Sequence, residues 1–296
     1  MFFTIKTSLI ILQTSIHILI VSSMNPMIAV VTGANKGIGF EIARKIGSEP
    51  NWKCVLTARD EKRGNEALHS LLKEGKNVCF KQLDITDKES IEKFFTEMEK
   101  EYGKIDCLVN NAGFAFKAAD PTPFKEQAEP TFKINFFGTV QVTEKLLPLI
   151  RSSECRRIVN VASMAGHLKI IPSNEIRNKL AHSGTTDGLS KSELLNVAES
   201  FVNDVKAGTH SEKGWPNTTY GMSKLCLIAY TKILAMEEPN LKLNCCCPGY
   251  CATDMTSMKG YKSAEAGAET PFQLAVGILG TTNSGKFYSS EQEIEW

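Results

Sequence analysis

The sequence predicts a doubly wound α/β domain built on a mainly parallel sheet of seven strands. Short apolar runs alternate along the chain with amphipathic helical patterns, which is typical of a parallel sheet with helices on both faces. The first run, MIAVVT at 27–32, passes directly into a glycine-rich turn and then into a helical pattern. The chain has 296 residues, of which 42% are hydrophobic, enough for one sizeable core. We therefore expect a single domain from 24 to 296.

The glycine-rich turn after the first strand predicts a binding site for the phosphates of a dinucleotide. Its sequence is GANKGIG, so its three glycines are Gly33, Gly37 and Gly39. A helix that begins at such a turn offers free N–H groups and the positive end of its dipole to a pyrophosphate. We expect the residues between the glycines to take part as well, namely Asn35, Lys36 and Ile38.

The end of the second predicted strand indicates which dinucleotide is bound. Arg59 stands about 20 residues after Gly39, where NAD sites usually place an acidic residue for the ribose 2′-hydroxyl. A guanidinium at this position suits a 2′-phosphate instead, because it forms charge-assisted hydrogen bonds. Lys36 is a second candidate cation. The sequence therefore favours NADPH, and the alternative for Arg59 is an ordinary charge at a strand end.

Tyr220 and Lys224 stand four residues apart, which places both side chains on one face of a helix. A lysine ammonium beside a tyrosine hydroxyl is expected to lower the tyrosine pKa and to make the tyrosine a proton donor near neutral pH. Ser163 follows the strand pattern RIVNVA, at the carboxyl end where parallel sheets bind ligands. Each residue alone could be an ordinary surface side chain, but together with the glycine turn they indicate a catalytic site.

With Asn110-Asn111-Ala112-Gly113 added to these motifs, the sequence resembles the short-chain dehydrogenase/reductase family, and within it the carbonyl reductases. The resemblance covers about 27–296 and implies a Rossmann-type fold that reduces ketones, aldehydes or quinones with NADPH. It implies that Ser163 and Tyr220 bind the carbonyl oxygen, that Lys224 holds the nicotinamide ribose and that Asn135 supports a proton-relay water. The alternatives are a non-enzymatic NADP(H)-binding sensor or scaffold, and an alcohol dehydrogenase that works in the oxidative direction.

The same resemblance implies further contacts. Cofactor contacts are expected after the third, fourth and sixth strands, at Asp84, Ile85, Asn111, Ala112, Gly113, Pro248, Gly249 and Thr253. Substrate or glutathione conjugates are expected beside the catalytic residues and in the predicted loop 114–129, at Phe116, Lys117, Ala118, Gln127, Met164 and Tyr250. For the loop residues, an ordinary surface loop is the alternative.

The long gap between Ser163 and Tyr220 predicts a helical insert at about 166–217. Ser190 and Glu193 have the spacing of a capping box, and apolar residues follow them at helical intervals. In carbonyl reductases that resemble this chain, such an insert covers a helix face that other family members use to oligomerise. We therefore expect a monomer without an obligate protein partner.

Composition limits the other function classes. The formal net charge is +1, which argues against a nucleic-acid surface. The nine cysteines are odd in number and lack a paired CxxC pattern, so buried thiols in a reducing compartment are favoured over disulfides or zinc, and we expect no metal.

The first 23 residues are expected to lie outside the domain. They are either a signal-like segment or an upstream extension before a start at Met24 or Met27. A cytoplasmic location is favoured, because the single acceptor site Asn217-Thr218-Thr219 would place a glycan beside Tyr220. A secretory or membrane location is the alternative.

Overall fold

The computed structural model describes residues 25–117 and 119–296, so expectations about 1–23 and Ala118 lie outside the described residues. Seven parallel strands form the predicted sheet in the order β3-β2-β1-β4-β5-β6-β7. They are β1 Met27–Val31, β2 Trp52–Ala58, β3 Val78–Gln82, β4 Cys107–Asn110, β5 Arg157–Val161, β6 Lys242–Cys247 and β7 Phe287–Ser289. A short eighth strand, β8 at Gln292–Ile294, was not predicted and pairs antiparallel to β7.

Helices connect the strands and cover both faces of the sheet. They are α1 Gly37–Ile46, α2 Glu61–Lys73, α3 Lys88–Tyr102, α4 Phe124–Phe132, a π-helical segment Lys133–Gly138, α5 Thr139–Arg151, α6 Asn174–Ala181, α7 Lys191–Ala207, α8 Thr219–Glu237, α9 Ala264–Gly267 and α10 Glu269–Val276. No helix in the described part of the chain is both long and apolar enough to span a membrane. In the same part, no group of three or more His, Cys, Asp or Glu side chains could hold a metal ion.

The strands are continuous apolar runs because both faces of the sheet are buried. In β1, Ile28 and Val30 face one core, which also contains α3, α5, α7 and α8. Ala29 and Val31 alternate with them and face the other core, with α1, α2 and α10. A half-exposed strand would alternate apolar and polar residues, so this pattern is a property of the doubly covered parallel sheet. All nine cysteines are free thiols, six of them within strands.

The region 166–217 contains two helices, α6 and α7. The helix α7 begins at the predicted capping box, with the Ser190 hydroxyl accepting from the N–H of Glu193 and the Glu193 carboxylate accepting from the N–H of Ser190. Its buried Phe201 lies 5.3 Å from Phe132 and 5.8 Å from Trp215, between ring centroids. The insert therefore shares one core with α4 and α8. The helix α6 was not predicted, because its side chains leave little apolar periodicity.

The segment around Asn135 corrects one boundary. The loop predicted at 114–129 is shorter than expected, because α4 already begins at Phe124, directly after Pro123. The fixed φ of Pro123, −57° here, leads the chain into the helix one residue later. The helix then widens into the π-helical segment that contains Asn135, a feature often associated with functional sites.

Candidate active site

The proposed site residues gather at one edge of the sheet because they follow strands that run in the same direction. Gly33, Arg59, Asn111, Ser163 and Pro248 come directly after β1, β2, β4, β5 and β6, or within two residues of the strand end. Neighbouring parallel strands end side by side, so these positions form one continuous crevice.

The glycine turn is shaped by close approach to the turn after β4. Gly33 has a φ of +62°, which favours glycine, and a Cβ on Gly39 would lie 2.3 Å from Nδ2 of Asn111. That amide donates to the carbonyls of Thr32 and Gly33, at 2.9 and 3.1 Å. Asn111 therefore fixes the turn itself. Lys36 precedes α1 without a side-chain cap bond, so the first N–H groups of α1 are available for a pyrophosphate, and the site fits a dinucleotide.

Cations lie near the end of β2 and beside the glycine turn. Arg59 is exposed, and the ammonium of Lys36 lies 2.6 Å from a carboxylate oxygen of Asp254. Lys36 lowers the pKa of Asp254 through this hydrogen bond, with weaker electrostatic contributions from Lys117 and Arg63. Arg63 was not predicted as a candidate cation. It lies in the first turn of α2, which begins two residues after Arg59.

The remaining cofactor candidates have different environments. Asp84 accepts from both the N–H and the hydroxyl of Thr86, at 2.9 and 2.8 Å, while Ile85 is buried in the core. A Cβ on Gly37 would lie 3.4 Å from Cγ2 of Thr253, so the segment after β6 lies against the glycine turn. These contacts place Thr253 against the glycine turn, whereas the side chain of Ile85 belongs to the packed core.

Tyr220 and Lys224 occupy successive turns at the start of α8. The hydroxyl of Thr218 caps this helix by accepting from the N–H of Gly221 at 3.0 Å. Lys224 is only 4% exposed, and its ammonium donates to the carbonyl of Val161, the last residue of β5, at 2.7 Å. This bond ties α8 to the same strand end that carries Ser163.

The pKa of Tyr220 differs from the sequence expectation. Burial raises it to about 12, and the nearby Ser163 hydroxyl only partly opposes this effect. Burial also lowers the pKa of Lys224 to about 8. The expected lowering of the tyrosine pKa is therefore wrong in this structure. The ammonium of Lys224 bonds to Val161 and lies 5.8 Å from the centroid of the Tyr220 ring, so it does not offset the cost of burying a phenolate. Tyr220 is consequently protonated, as a proton donor must be.

Asn135 is buried and uses its side chain to join two parts of the site. Its Nδ2 donates to the carbonyl of Phe114 at 2.8 Å and to the hydroxyl of Ser223 at 3.0 Å. Its Oδ1 accepts from the N–H of Phe114 at 2.7 Å. The hydroxyl of Ser223 in turn donates to the carbonyl of Tyr220 at 2.8 Å. The side-chain amide therefore holds the loop after β4 against the tyrosine helix.

The predicted substrate residues fall into two groups. Phe116 packs edge-on against Phe114 with ring centroids 4.8 Å apart, and Lys117 beside it is exposed. Gln127 lies on α4 instead of in a loop, and its amide donates to the carbonyl of Thr122 at 2.8 Å.

Met164 and Tyr250 form the other group, directly after Ser163 and after the Pro-Gly pair. They are 42% and 47% exposed, which is high for apolar side chains. The ring centroid of Tyr250 lies 6.1 Å from that of the exposed Tyr261. These side chains leave apolar surface in the segments that follow β5 and β6.

Comparison with known proteins agrees with this geometry. The family model described as short chain dehydrogenase matches residues 27–174. Carbonyl reductase 1 (NADPH) of Bos taurus is 42% identical over 281 residues, which cover 93% of this chain and 100% of that protein. Carbonyl reductase 3 (NADPH) of Mus musculus is 44% identical over 84% of this chain and 90% of its own length.

Solved structures give the same result. Salutaridine reductase from Papaver somniferum is similar with a TM-score of 0.80 and 35% identity, over 88% of this chain and 99% of that chain. Menthone neomenthol reductase from Mentha piperita is similar with a TM-score of 0.77 and 31% identity, over 91% of this chain and 100% of that chain.

Proposed function

The chain belongs to the short-chain dehydrogenase family, and we propose that Tyr220 is the proton donor in its NADPH-dependent reduction of carbonyl compounds. The observation that carries this assignment is a partly buried, protonated tyrosine that lies beside Ser163 and one helical turn from Lys224. A tyrosine, a serine and a lysine in this arrangement could also bind a dinucleotide without turnover. However, a sensor would have no need to keep a tyrosine proton available beside a second hydroxyl group.

The reaction follows from what each side chain can donate. NADPH, when bound in the crevice, would supply a hydride to the carbonyl carbon and leave as NADP⁺. The hydroxyls of Ser163 and Tyr220 donate hydrogen bonds to the carbonyl oxygen, where negative charge develops. The O–H bond of Tyr220 then breaks, and its proton completes the product alcohol. The ammonium of Lys224 is proposed to bind the nicotinamide ribose, and Asn135 is proposed to support the water that returns a proton to Tyr220.

Cofactor binding is assigned to the crevice. The glycine turn, with Asn35, Lys36 and Ile38, is proposed to hold the pyrophosphate at the start of α1. Arg59 is proposed to bind the 2′-phosphate, because it is an exposed cation at the end of β2. The adenine and nicotinamide ends are assigned to the segments after β3, β4 and β6, at Asp84, Ile85, Ala112, Gly113, Pro248, Gly249 and Thr253.

The direct test is to mix the purified protein with NADPH and menadione and to follow the absorbance of NADPH. Consumption that depends on both the quinone and the enzyme is expected, and a panel of ketones and aldehydes then ranks the substrates. NADPH binding without turnover of any carbonyl would contradict the assignment and favour a sensor.

The insert supports a monomeric enzyme. The helix α7 covers α4 and α8 with buried residues that include Leu194 and Phe201, so this face is already occupied within one chain. We expect light scattering to give a monomer at micromolar concentration. A stable dimer or tetramer would contradict this role of the insert.

The free thiols and the position of Asn217 near Tyr220 support a cytoplasmic location. A glycan found on Asn217 by mass spectrometry would contradict this location.

Glutathione conjugates are a second proposed substrate class. The exposed ammonium of Lys117 suits a peptide carboxylate, and the Phe114–Phe116 pair offers an apolar surface next to it. Ala118 and Gln127 complete the proposed site. The expected result is a lower KM for the glutathione conjugate of menadione than for menadione, and equal KM values would contradict it.

A further inference from the structure

Trp296 contacts the catalytic region from the far end of the sequence. The antiparallel strand β8 turns the chain back along β7 at the edge of the sheet, and Trp296 follows two residues later. Its indole N–H donates to the carbonyl of Gly166 at 2.9 Å, across 130 residues of sequence. This is a specific polar contact in a side chain that otherwise packs against the core of α3, α5, α7 and α8 and against a small cluster that includes Ala162 and Phe287.

Gly166 ends the short turn that carries Ser163. The N–H of Gly166 donates to the carbonyl of Ser163 at 2.9 Å, and the hydroxyl of Ser163 accepts from the N–H of Ala165 at 3.1 Å. The turn from Ser163 to Gly166 is therefore closed on itself by hydrogen bonds. A displacement of Gly166 would move the serine hydroxyl with it.

Gly166 also touches the tyrosine helix. A Cβ on this residue would lie 2.6 Å from the backbone N of Leu225 and 2.7 Å from the carbonyl carbon of Lys224. The serine turn thus rests on α8 at the level of Lys224. The distance between the hydroxyls of Ser163 and Tyr220 depends on this contact.

The indole ring is held on the same helix. The ammonium of Lys232, two turns after Lys224, lies 5.8 Å from the centroid of the Trp296 ring. Trp296 therefore rests on α8 through its ring and holds Gly166 through its N–H. It connects the two elements whose separation sets the geometry of the site.

We infer that Trp296 is a positioning residue, which acts through the carbonyl of Gly166 to hold the Ser163 hydroxyl in place beside Tyr220 and the substrate oxygen. This inference rests on the proposed function. It predicts that removal of the indole N–H lowers the catalytic rate only while the Ser163 hydroxyl is present. A purely structural role would lower stability but would act independently of Ser163.

The test uses Trp296→Phe, which keeps an aromatic ring and removes the N–H. We expect kcat with menadione to fall about threefold to tenfold, which corresponds to the loss of one hydrogen bond. The dissociation constant of NADPH should stay within about twofold, because no proposed cofactor residue is touched. An unchanged kcat would overturn the inference, and so would an equal loss of NADPH affinity.

The matched control is Trp215→Phe. Trp215 also donates its indole N–H, to a carboxylate oxygen of Asp204 at 2.8 Å, but within the insert. The chemical change is the same, and we expect kcat to stay within about twofold. If both variants lose kcat equally, the effect is general loosening of the fold and the inference is wrong.

A double-variant cycle separates the inference from the proposed function. Single-turnover rates with excess enzyme are measured for Ser163→Ala with and without Trp296→Phe. We expect Trp296→Phe to have no further effect once the serine hydroxyl is gone. A full additional loss in the Ser163→Ala background would overturn the positioning role. If Ser163→Ala alone keeps the wild-type rate, the catalytic assignment itself is wrong.

Discussion

The two halves of the crevice differ in how their functional groups are held. Lys224 and Asn135 are buried, at 4% and 0% exposure, and every polar atom of the Asn135 side chain is engaged by short hydrogen bonds. In the other half, Arg59 is exposed, and Lys36 and Asp254 are 58% and 67% exposed in their side chains. One half is positioned by packing, and the other consists of exposed charged side chains.

This difference assigns each half a separate task. Bond-making requires fixed distances and a controlled proton, which only the buried half offers. Selection between two cofactors that differ by one phosphate requires cations that can reach and then release it, which suits exposed side chains. Changes in the buried half should therefore abolish turnover, whereas changes in the exposed half should redirect the cofactor preference.

The largest effect is expected from Tyr220→Phe, which removes only the hydroxyl of the buried half. Turnover should fall by about a thousandfold, because no other side chain is assigned to donate the proton. The measurement is kcat with NADPH and menadione. A variant that keeps a tenth of the wild-type rate would have lost only about 1.4 kcal/mol of transition-state stabilisation, and Tyr220 would not be the acid.

The buried lysine predicts a pH effect on stability. Its pKa is about 8 in the fold against 10.5 for an ordinary lysine, so the unfolded chain binds more protons between these values. The free energy of unfolding that Lys224 contributes should therefore rise with pH through this window, by on the order of 3 kcal/mol at most. Below pH 8, Lys224 is protonated in both the folded and the unfolded state, and the cost of burying its charge is fully present.

Urea unfolding of the wild type and of Lys224→Met at several values between pH 7 and pH 10 measures this contribution. The methionine variant removes the titrating group, so other titrations cancel in the difference. The stability of the wild type relative to the variant should improve as pH rises. A constant difference would show that the ammonium is not penalised by burial.

In the exposed half, Arg59→Asp should reverse the cofactor preference. The change removes a cation and sets a carboxylate against the 2′-phosphate, while the carboxylate can accept a hydrogen bond from the 2′-hydroxyl of NADH. We expect kcat/KM for NADPH to fall by about a hundredfold while that for NADH holds or rises. The neighbouring Lys62→Asp is the control, with the same charge change. An unchanged preference in the Arg59 variant would assign the phosphate to Lys36 or Arg63.

The smallest effect is expected from Asp254→Asn, which releases Lys36 from its ion pair. An exposed pair is worth about 0.2–1 kcal/mol, so the freed ammonium should tighten NADPH binding by about threefold. The affinity for NADH should change less, since it carries no 2′-phosphate. Equal tightening of both cofactors in fluorescence titrations would show that Lys36 does not distinguish them.

The sequence was sufficient for most of the fold and for the order of the motifs. The central strands, such as β1, β2 and β4, are apolar runs buried on both faces, and the capping box of α7 is local, so both leave a signal within a few residues. The site residues follow strand ends, which makes Ser163 and Tyr220 recognisable from their neighbours.

Other features depend on contacts that no local pattern contains. Strand β8 is three residues long and mostly exposed, and the bond from Trp296 to Gly166 spans 130 residues. The pKa of Tyr220 depends on how deeply the ring is buried and on where the ammonium of Lys224 points. The four-residue spacing identified Tyr220 and Lys224 as a pair but did not predict the direction of the shift in the pKa of Tyr220.

The division of tasks is tested most directly by titrating Tyr220→Phe with NADPH and NADH and following cofactor fluorescence. The account predicts wild-type affinity for NADPH, within about twofold, and an unchanged preference over NADH, although turnover is lost. A loss of NADPH affinity in proportion to the loss of turnover would contradict it, because the Tyr220 hydroxyl would then hold the cofactor instead of donating the proton.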